Sequence, residues 1–233
     1  MSVTFSDPIC LTPEAGHYTF GYYDRMAWSP DMDYHLALKI PQQSHLPGPE
    51  ETSDVGFINM GAKEFRFVKA AETHAWNHQQ GSMTHWLPCE KDCFIFNDAV
   101  KKGGTWKFIS RVFHVEEGEL RKLPRPVYAL TPDGKKAATL DFGRIYSRKG
   151  YSYAGADSTS EPDIPDNAGV WIMDTETGEN ELICSIKDLA DIHPMPFDLE
   201  DTYVWLNHII FNCTGSRLMV LFRYSIPQSS RWK

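Results

Sequence analysis

The feature that most constrains this chain is a turn-centred unit written four times. AWSPDMDYHLALKI begins at Ala27, HWLPCEKDCFIFND at His85, ALTPDGKKAATLDF at Ala129 and IFNCTGSRLMVLFR at Ile210. Each enters on a short apolar step, turns through Pro, Asp, Thr or Gly, and leaves on a second apolar run. These turn residues preset φ or bond their own backbone, so the unit predicts a β-hairpin. A second hairpin follows each of the first three copies: VGFINMGAKEFRFVKA from Val55, ISRVFHVEEGELRKLP from Ile109 and VWIMDTETGENELICSI from Val170. Alternation of the two hairpins yields four-stranded antiparallel units over residues 25–73, 83–126 and 127–187, with a partial unit over 205–224. No segment carries sustained helical periodicity. The expected fold class is therefore all-β.

Four-stranded units repeating along a chain predict a β-propeller, here of about three and a half blades. A β-sandwich is the competing architecture, since it also uses many short strands; the recurring turn favours the propeller. A propeller closes with about four to eight blades, and an unclosed one leaves strand edges open to pairing. The expectation is a fragment of a longer propeller, with closure by self-association of two copies as the alternative.

Composition narrows the function classes. The chain has 233 residues, a net charge of −8 and a hydrophobic fraction of 42%, which is enough to build a globular core. No Lys/Arg cluster supports a nucleic-acid partner. No apolar run approaches a membrane span, and MSVTFSDPIC lacks the basic start and apolar centre of a signal peptide, so the expected location is cytoplasmic. The five cysteines, Cys10, Cys89, Cys93, Cys184 and Cys213, are odd in number and scattered. They read as reduced thiols, without the second pair or the His spacing of a zinc site.

If the strands of each unit run A to D, the A–B and C–D turns share one face and the B–C and D–A loops share the other. The first set is tight, as at Pro132-Asp133-Gly134 and Glu117-Gly118. The second set is long: residues 40–54 in the first unit and 143–167 in the third. Long loops in compact domains tend to carry function. The polar stretch HAWNHQQGS, residues 74–82, is a D–A loop on the same face. The equivalent strand starts carry Tyr22-Tyr23-Asp24-Arg25, His78-Gln79-Gln80, Arg125-Pro126 and Asn207-His208. These polar groups are expected to rim one mouth of a channel.

That rim supplies the candidate site. His78 and His208, with Gln79 or Gln80, form a candidate set for a divalent metal, since imidazole and a carbonyl oxygen suit manganese or zinc; equally, each could serve only its own loop. His74 and His85 read as structural. His17 lies in the aromatic string GHYTFGYYD, which suits either stacking on sugar rings or a core strand. Arg25, Arg125 and Arg144 are candidates to clamp a carboxylate in a two-pronged bond. In RIYSRKGYSY, residues 144–153, Lys149 or a Tyr is a candidate general base; the alternative is a solvated loop. Tyr22, Tyr23, Trp76, Tyr151 and Asn207 complete the expected ligand surface. There is no Gly-rich phosphate loop, His-Glu-x-x-His or Gly-x-Ser-x-Gly.

GYYDRMAWSPD, WNHQQGSMTHWLP, RPVYALTPDGKKAATLDF and LNHIIFNCTG together resemble a bacterial β-propeller family related to oligogalacturonate lyases, across residues 15–224. The hairpin motif is shared with other propellers, including TolB-like ones. The resemblance implies a seven-bladed propeller in the complete protein. It also implies a metal held by histidines and a glutamine, which binds an acidic oligosaccharide for β-elimination. His208 is the position that matches a metal-ligand histidine; the remaining ligands and the base have no match here. Two expectations follow: a metal-assisted lyase acting on uronate-containing oligosaccharides, or a non-catalytic propeller that binds a saccharide or a protein partner.

Overall fold

A computed structural model describes residues 6–12, 14–145, 151–155, 165–192 and 202–225. Its strands are β1 (His17–Thr19), β2 (Tyr34–Ile40), β3 (Ser53–Asn59), β4 (Phe67–Thr73), β5 (His85–Trp86), β6 (Cys93–Lys102), β7 (Thr105–His114), β8 (Gly118–Leu123), β9 (Ala129–Leu130), β10 (Lys136–Thr139), β11 (Gly169–Asp174), β12 (Asn180–Ser185), β13 (Tyr203–Phe211) and β14 (Leu218–Ser225). They form three four-stranded antiparallel sheets in simple chain order, β1 to β4, β5 to β8 and β9 to β12, and a two-stranded sheet of β13 and β14. Among the described residues the fold is all-β apart from one short helix, α1 (Ile186–Ile192). The helix was not legible as periodicity because seven residues span only two turns. Ser185 caps it: its hydroxyl accepts from the Asp188 backbone N–H, and the Asp188 carboxylate accepts from Ser185 in return. No helix among the described residues is long and apolar enough to cross a membrane.

The first and third copies of the repeated turn are built from the same side-chain bonds. Thr131 Oγ1 donates to Asp133 Oδ1 at 2.6 Å and accepts from Lys136 N at 3.1 Å. Ser29 does the same with Asp31 at 2.6 Å and Tyr34 N at 3.0 Å. In the fourth copy the Asn212 carboxamide accepts from Arg217 N at 3.0 Å. The fourth residue of each of these turns has positive φ, at Met32 (67°), Gly134 (73°) and Gly215 (69°). Glycine suits this conformation, and Met32 occupies it at a steric cost.

Two details depart from the expected units. The first sheet starts before residue 25. His17 pairs with Ile40 and Thr19 with Leu38, and the same edge of β2 resumes opposite Trp28 at His35. Residues 20–26 are therefore an excursion looped out of a single interrupted strand. In the second sheet the B–C connection is not a long loop. β6 and β7 continue in register to Lys102 and Thr105, and Gly103 and Gly104 turn the chain at φ 59° and 85°.

Each core lies between consecutive sheets. Leu36, Leu38, Val55, Trp76, Phe94 and Phe96 pack the first sheet on the second; Ile95, Val112, Ala137 and Met173 pack the second on the third. Ala138, Phe142, Val170, Trp205 and Ile209 pack the third on β13 and β14. Period-2 alternation puts apolar side chains on both faces of the central strands, so each sheet feeds two cores. Buried polar links tie sheet to sheet. Trp86 Nε1 donates to the Ala27 carbonyl at 2.8 Å, and Thr73 Oγ1 to the Asn97 carbonyl at 2.7 Å. Asn97 grips Val127, donating to its carbonyl at 2.8 Å and accepting from its N–H at 2.6 Å.

Candidate functional site

The leading strands of the four sheets bring one cluster together. The HAWNHQQGS stretch supplies the first part, and Asn77 organises it. Asn77 Oδ1 accepts from the N–H groups of Gln79 (3.0 Å) and Gln80 (2.7 Å), while Asn77 and Gly81 exchange backbone bonds. Such an Asx turn needs a short polar side chain at its head. Gly81 has φ 60°, a left-handed conformation that favours glycine, and the Gly21 backbone of the 20–26 excursion lies against this turn. Gln80 points inward, wholly buried, and its amide donates to the Tyr128 hydroxyl at 2.9 Å.

Tyr128 is the hub. Its hydroxyl lies 3.4 Å from His208 Nδ1, and the Arg25 guanidinium sits 5.7 Å from its ring centroid. His208 stands at a β-bulge in β13, with φ 55° and a register shift between Asn207 and Ile210. The bulge re-aims the imidazole out of the ladder. Tyr22 stacks on that imidazole at 5.8 Å, and Tyr151 meets it edge-on at 5.6 Å. Tyr22, Tyr151 and His208 are half-buried, while Tyr23 is 77% exposed and packs on Tyr22 at 4.4 Å. Asp24 lies 3.2 Å from Arg25 Nε, outside hydrogen-bond geometry.

Electrostatics favour a neutral interior. Burial, then the neighbouring Arg223, lowers the His208 pKa, and burial raises those of Tyr128 and Tyr22. Burial also lowers the Arg25 pKa, opposed by Asp24, but a guanidinium remains charged. His85, in β5, is pushed well below its ordinary value by burial and then by Arg25. Gln80 Oε1 and both amide atoms of Asn207 are buried with no hydrogen-bond partner among the described residues.

The partly buried His35, His85 and His208 share one sign of shift, downward, with desolvation as its largest cause. In the unfolded chain they protonate near pH 6.5, before they do so in the fold, so the unfolded state binds more protons below that point. Their stabilising contribution is full above about pH 6.5 and falls as pH drops through the window beneath it. Urea midpoints should therefore decline from pH 7.5 to pH 5.5, and His85→Leu should flatten that decline. Equal slopes in both proteins would remove His85 from the account.

The expected site residues divide. Tyr22, Tyr23, Arg25, Gln80, Tyr151, Asn207 and His208 gather at or beside the cluster. His78 does not join them. It is half-buried, its Nε2 lies 2.7 Å from the His45 carbonyl, and it packs edge-on against Trp76. Trp76, expected as a stacking surface, is instead fully buried in the core and donates from Nε1 to the Glu51 carbonyl at 2.8 Å. Arg144 is 1% exposed; its Nε and Nη2 donate to the Val204 carbonyl at 3.3 and 2.8 Å, and Tyr203 lies under its guanidinium. It joins the third sheet to β13. Arg125 lies in a separate cleft. Lys149 falls outside the described residues. His17 forms part of β1, and His74 packs on Trp106 at 4.8 Å. The hub residue Tyr128 was not expected; Asp24 was expected on the rim, with no role assigned to it. The signal for Tyr128 was its place one residue before the third hairpin.

Among the described residues no three of His, Cys, Asp and Glu come together as a metal-holding group. The donor set His78, Gln80 and His208 does not fit a metal as placed: two members meet through Tyr128, and the third is committed to His45. The fold and cluster define a class: an all-β chain of antiparallel meander sheets with a half-open aromatic and polar group where the leading strands meet. Comparison with protein-family models, with curated proteins and with solved structures finds no match.

Proposed function

We propose that the sheets are blades of a β-propeller and that the mouth where their leading strands meet binds an oligosaccharide. The face-to-face packing of consecutive meander sheets supports the propeller reading. The observation that carries the binding reading is the group of Tyr22, Tyr151 and His208: flat rings, half-buried, with both tyrosines against the His208 imidazole, and backed by Gln80 and Tyr128. Sugars present apolar C–H faces and hydroxyl edges, so rings that stack beside fixed hydrogen-bonding groups suit them. The partly exposed Asp24 carboxylate adds a hydroxyl partner at the mouth.

Binding without turnover is the preferred form. A metal-assisted lyase acting on uronates would need His78 to leave His45, and Arg144 is already committed to Val204. Calorimetric titration with oligogalacturonate and with neutral galacto-oligosaccharides tests the reading. Saturable binding is expected, insensitive to chelator, and weakened about tenfold by Tyr22→Ala, the loss of one stacking partner. No saturable binding of either sugar class would end the proposal. Manganese-dependent growth of ultraviolet-absorbing unsaturated ends would replace it with the lyase reading.

A further inference from the structure

A second site lies away from that cluster. Between the second and third sheets a cleft of about 470 Å³ opens beside the start of β7 and the strand exits around residues 124–126 and 140–142. Trp106, Phe108 and Trp171, all half-buried, give it aromatic walls, and Arg125 and Lys107 give it cations. Arg125 is held rigidly. Its guanidinium lies 3.4 Å from the Trp171 ring centroid, and its Nε donates to Asn180 Oδ1 at 2.6 Å. Those two contacts engage one flat face and one nitrogen. The two terminal nitrogens make no hydrogen bond among the described residues, and the residue is half-buried in the cleft wall.

A preorganised guanidinium with its terminal edge open is the geometry that takes a carboxylate through two parallel bonds. A partly desolvated position strengthens such a bond relative to water. Asp141 shares the cleft and supports the Arg125 charge, so it limits how much further negative charge the site accepts. The half-buried rings of Trp106, Phe108 and Trp171 favour a flat, apolar ring as the carrier of that carboxylate. We propose that this cleft binds a single carboxylate carried on an apolar ring, with Arg125 as its anchor. The cleft is independent of the saccharide reading, because it shares no residue with the Tyr22, Tyr151 and His208 group.

The test uses benzoate, with benzamide as the uncharged match and galacturonate as the polar-ring match. Titrations of the whole chain are followed by calorimetry and by the indole N–H signals in nitrogen–proton spectra. Benzoate should saturate and shift the Trp106 and Trp171 signals, assigned by Trp→Phe variants. Benzamide should bind about tenfold more weakly or not at all, as should benzoate to Arg125→Gln. Tyr22→Ala should leave benzoate binding unchanged. If Arg125→Gln does not fold, Asn180→Ala replaces it, freeing Nε and loosening the anchor, and a several-fold loss is expected. No saturation by benzoate, equal binding of benzamide, or shifts confined to other indoles would overturn the proposal. Galacturonate binding more tightly than benzoate would also overturn it, and would make the cleft a second sugar site.

Discussion

Asn97→Ala should destabilise the chain by about 3 kcal/mol or more, because one carboxamide satisfies several buried groups at once. Asn97 is fully buried in β6. Its amide donates to the Val127 carbonyl at 2.8 Å and to the Tyr153 hydroxyl at 3.0 Å, and its oxygen accepts from the Val127 N–H at 2.6 Å. Truncation leaves a backbone donor and a backbone acceptor buried and unpaired, each costing about 1–3 kcal/mol. It also opens a cavity at the joint of the second and third sheets. Thermal melts should show a fall of roughly 6–12 °C for a chain of this size. Ser110→Ala makes the useful comparison. Ser110 is equally buried but makes one bond, to the Arg125 carbonyl at 2.8 Å, so its loss should cost only about 1 kcal/mol. Equal losses in the two variants would mean that the Val127 clamp does not hold the sheets together.

Trp76→Ala should cost about 3–5 kcal/mol of stability and leave sugar affinity unchanged wherever the variant is folded. Trp76 is wholly buried between the first two sheets, among Leu38, Val55 and Phe96, and its indole N–H reaches the Glu51 carbonyl at 2.8 Å. Truncation removes both the packed volume and a hydrogen bond that pins the 40–52 loop. Trp76→Phe keeps most of the volume and loses the bond, so it should cost about 1–2 kcal/mol. Chemical denaturation gives the stabilities, and titration of each folded variant gives the affinities. A large loss of affinity in Trp76→Phe at undiminished stability would return Trp76 to the ligand surface.

The hairpins were legible because their determinants are local. Thr131, Asp133 and Gly134 make their turn within five residues, and Ser29 with Asp31 repeats it. Strands β6, β7, β11 and β13 follow from apolar runs between such turns. The polar stretch around His78 was legible as unusual, but its parts were not separable. Trp76, His78 and Gln80 are near neighbours in sequence, yet they end in a core, in a loop contact and in the cluster, respectively. Whether a polar or aromatic side chain in a loop turns inward depends on what faces it, which local pattern does not record. Asn97 carried a faint signal, as an amide in the apolar run CFIFND.

By itself the sequence determined the all-β class, the meander order, the turn geometry and the four-fold repetition, since period-2 patterning and turn chemistry act over a few residues. Only the tertiary structure decided the site. Gln80 and Tyr128 are 48 residues apart, and Tyr128 and His208 are 80 apart. The 20–26 excursion, the bulge at His208 and the cleft beside Arg125 likewise arise from how one sheet packs on the next. Such contacts are set by the volumes and unpaired polar groups that two distant surfaces present to each other, and no stretch of a few residues contains both.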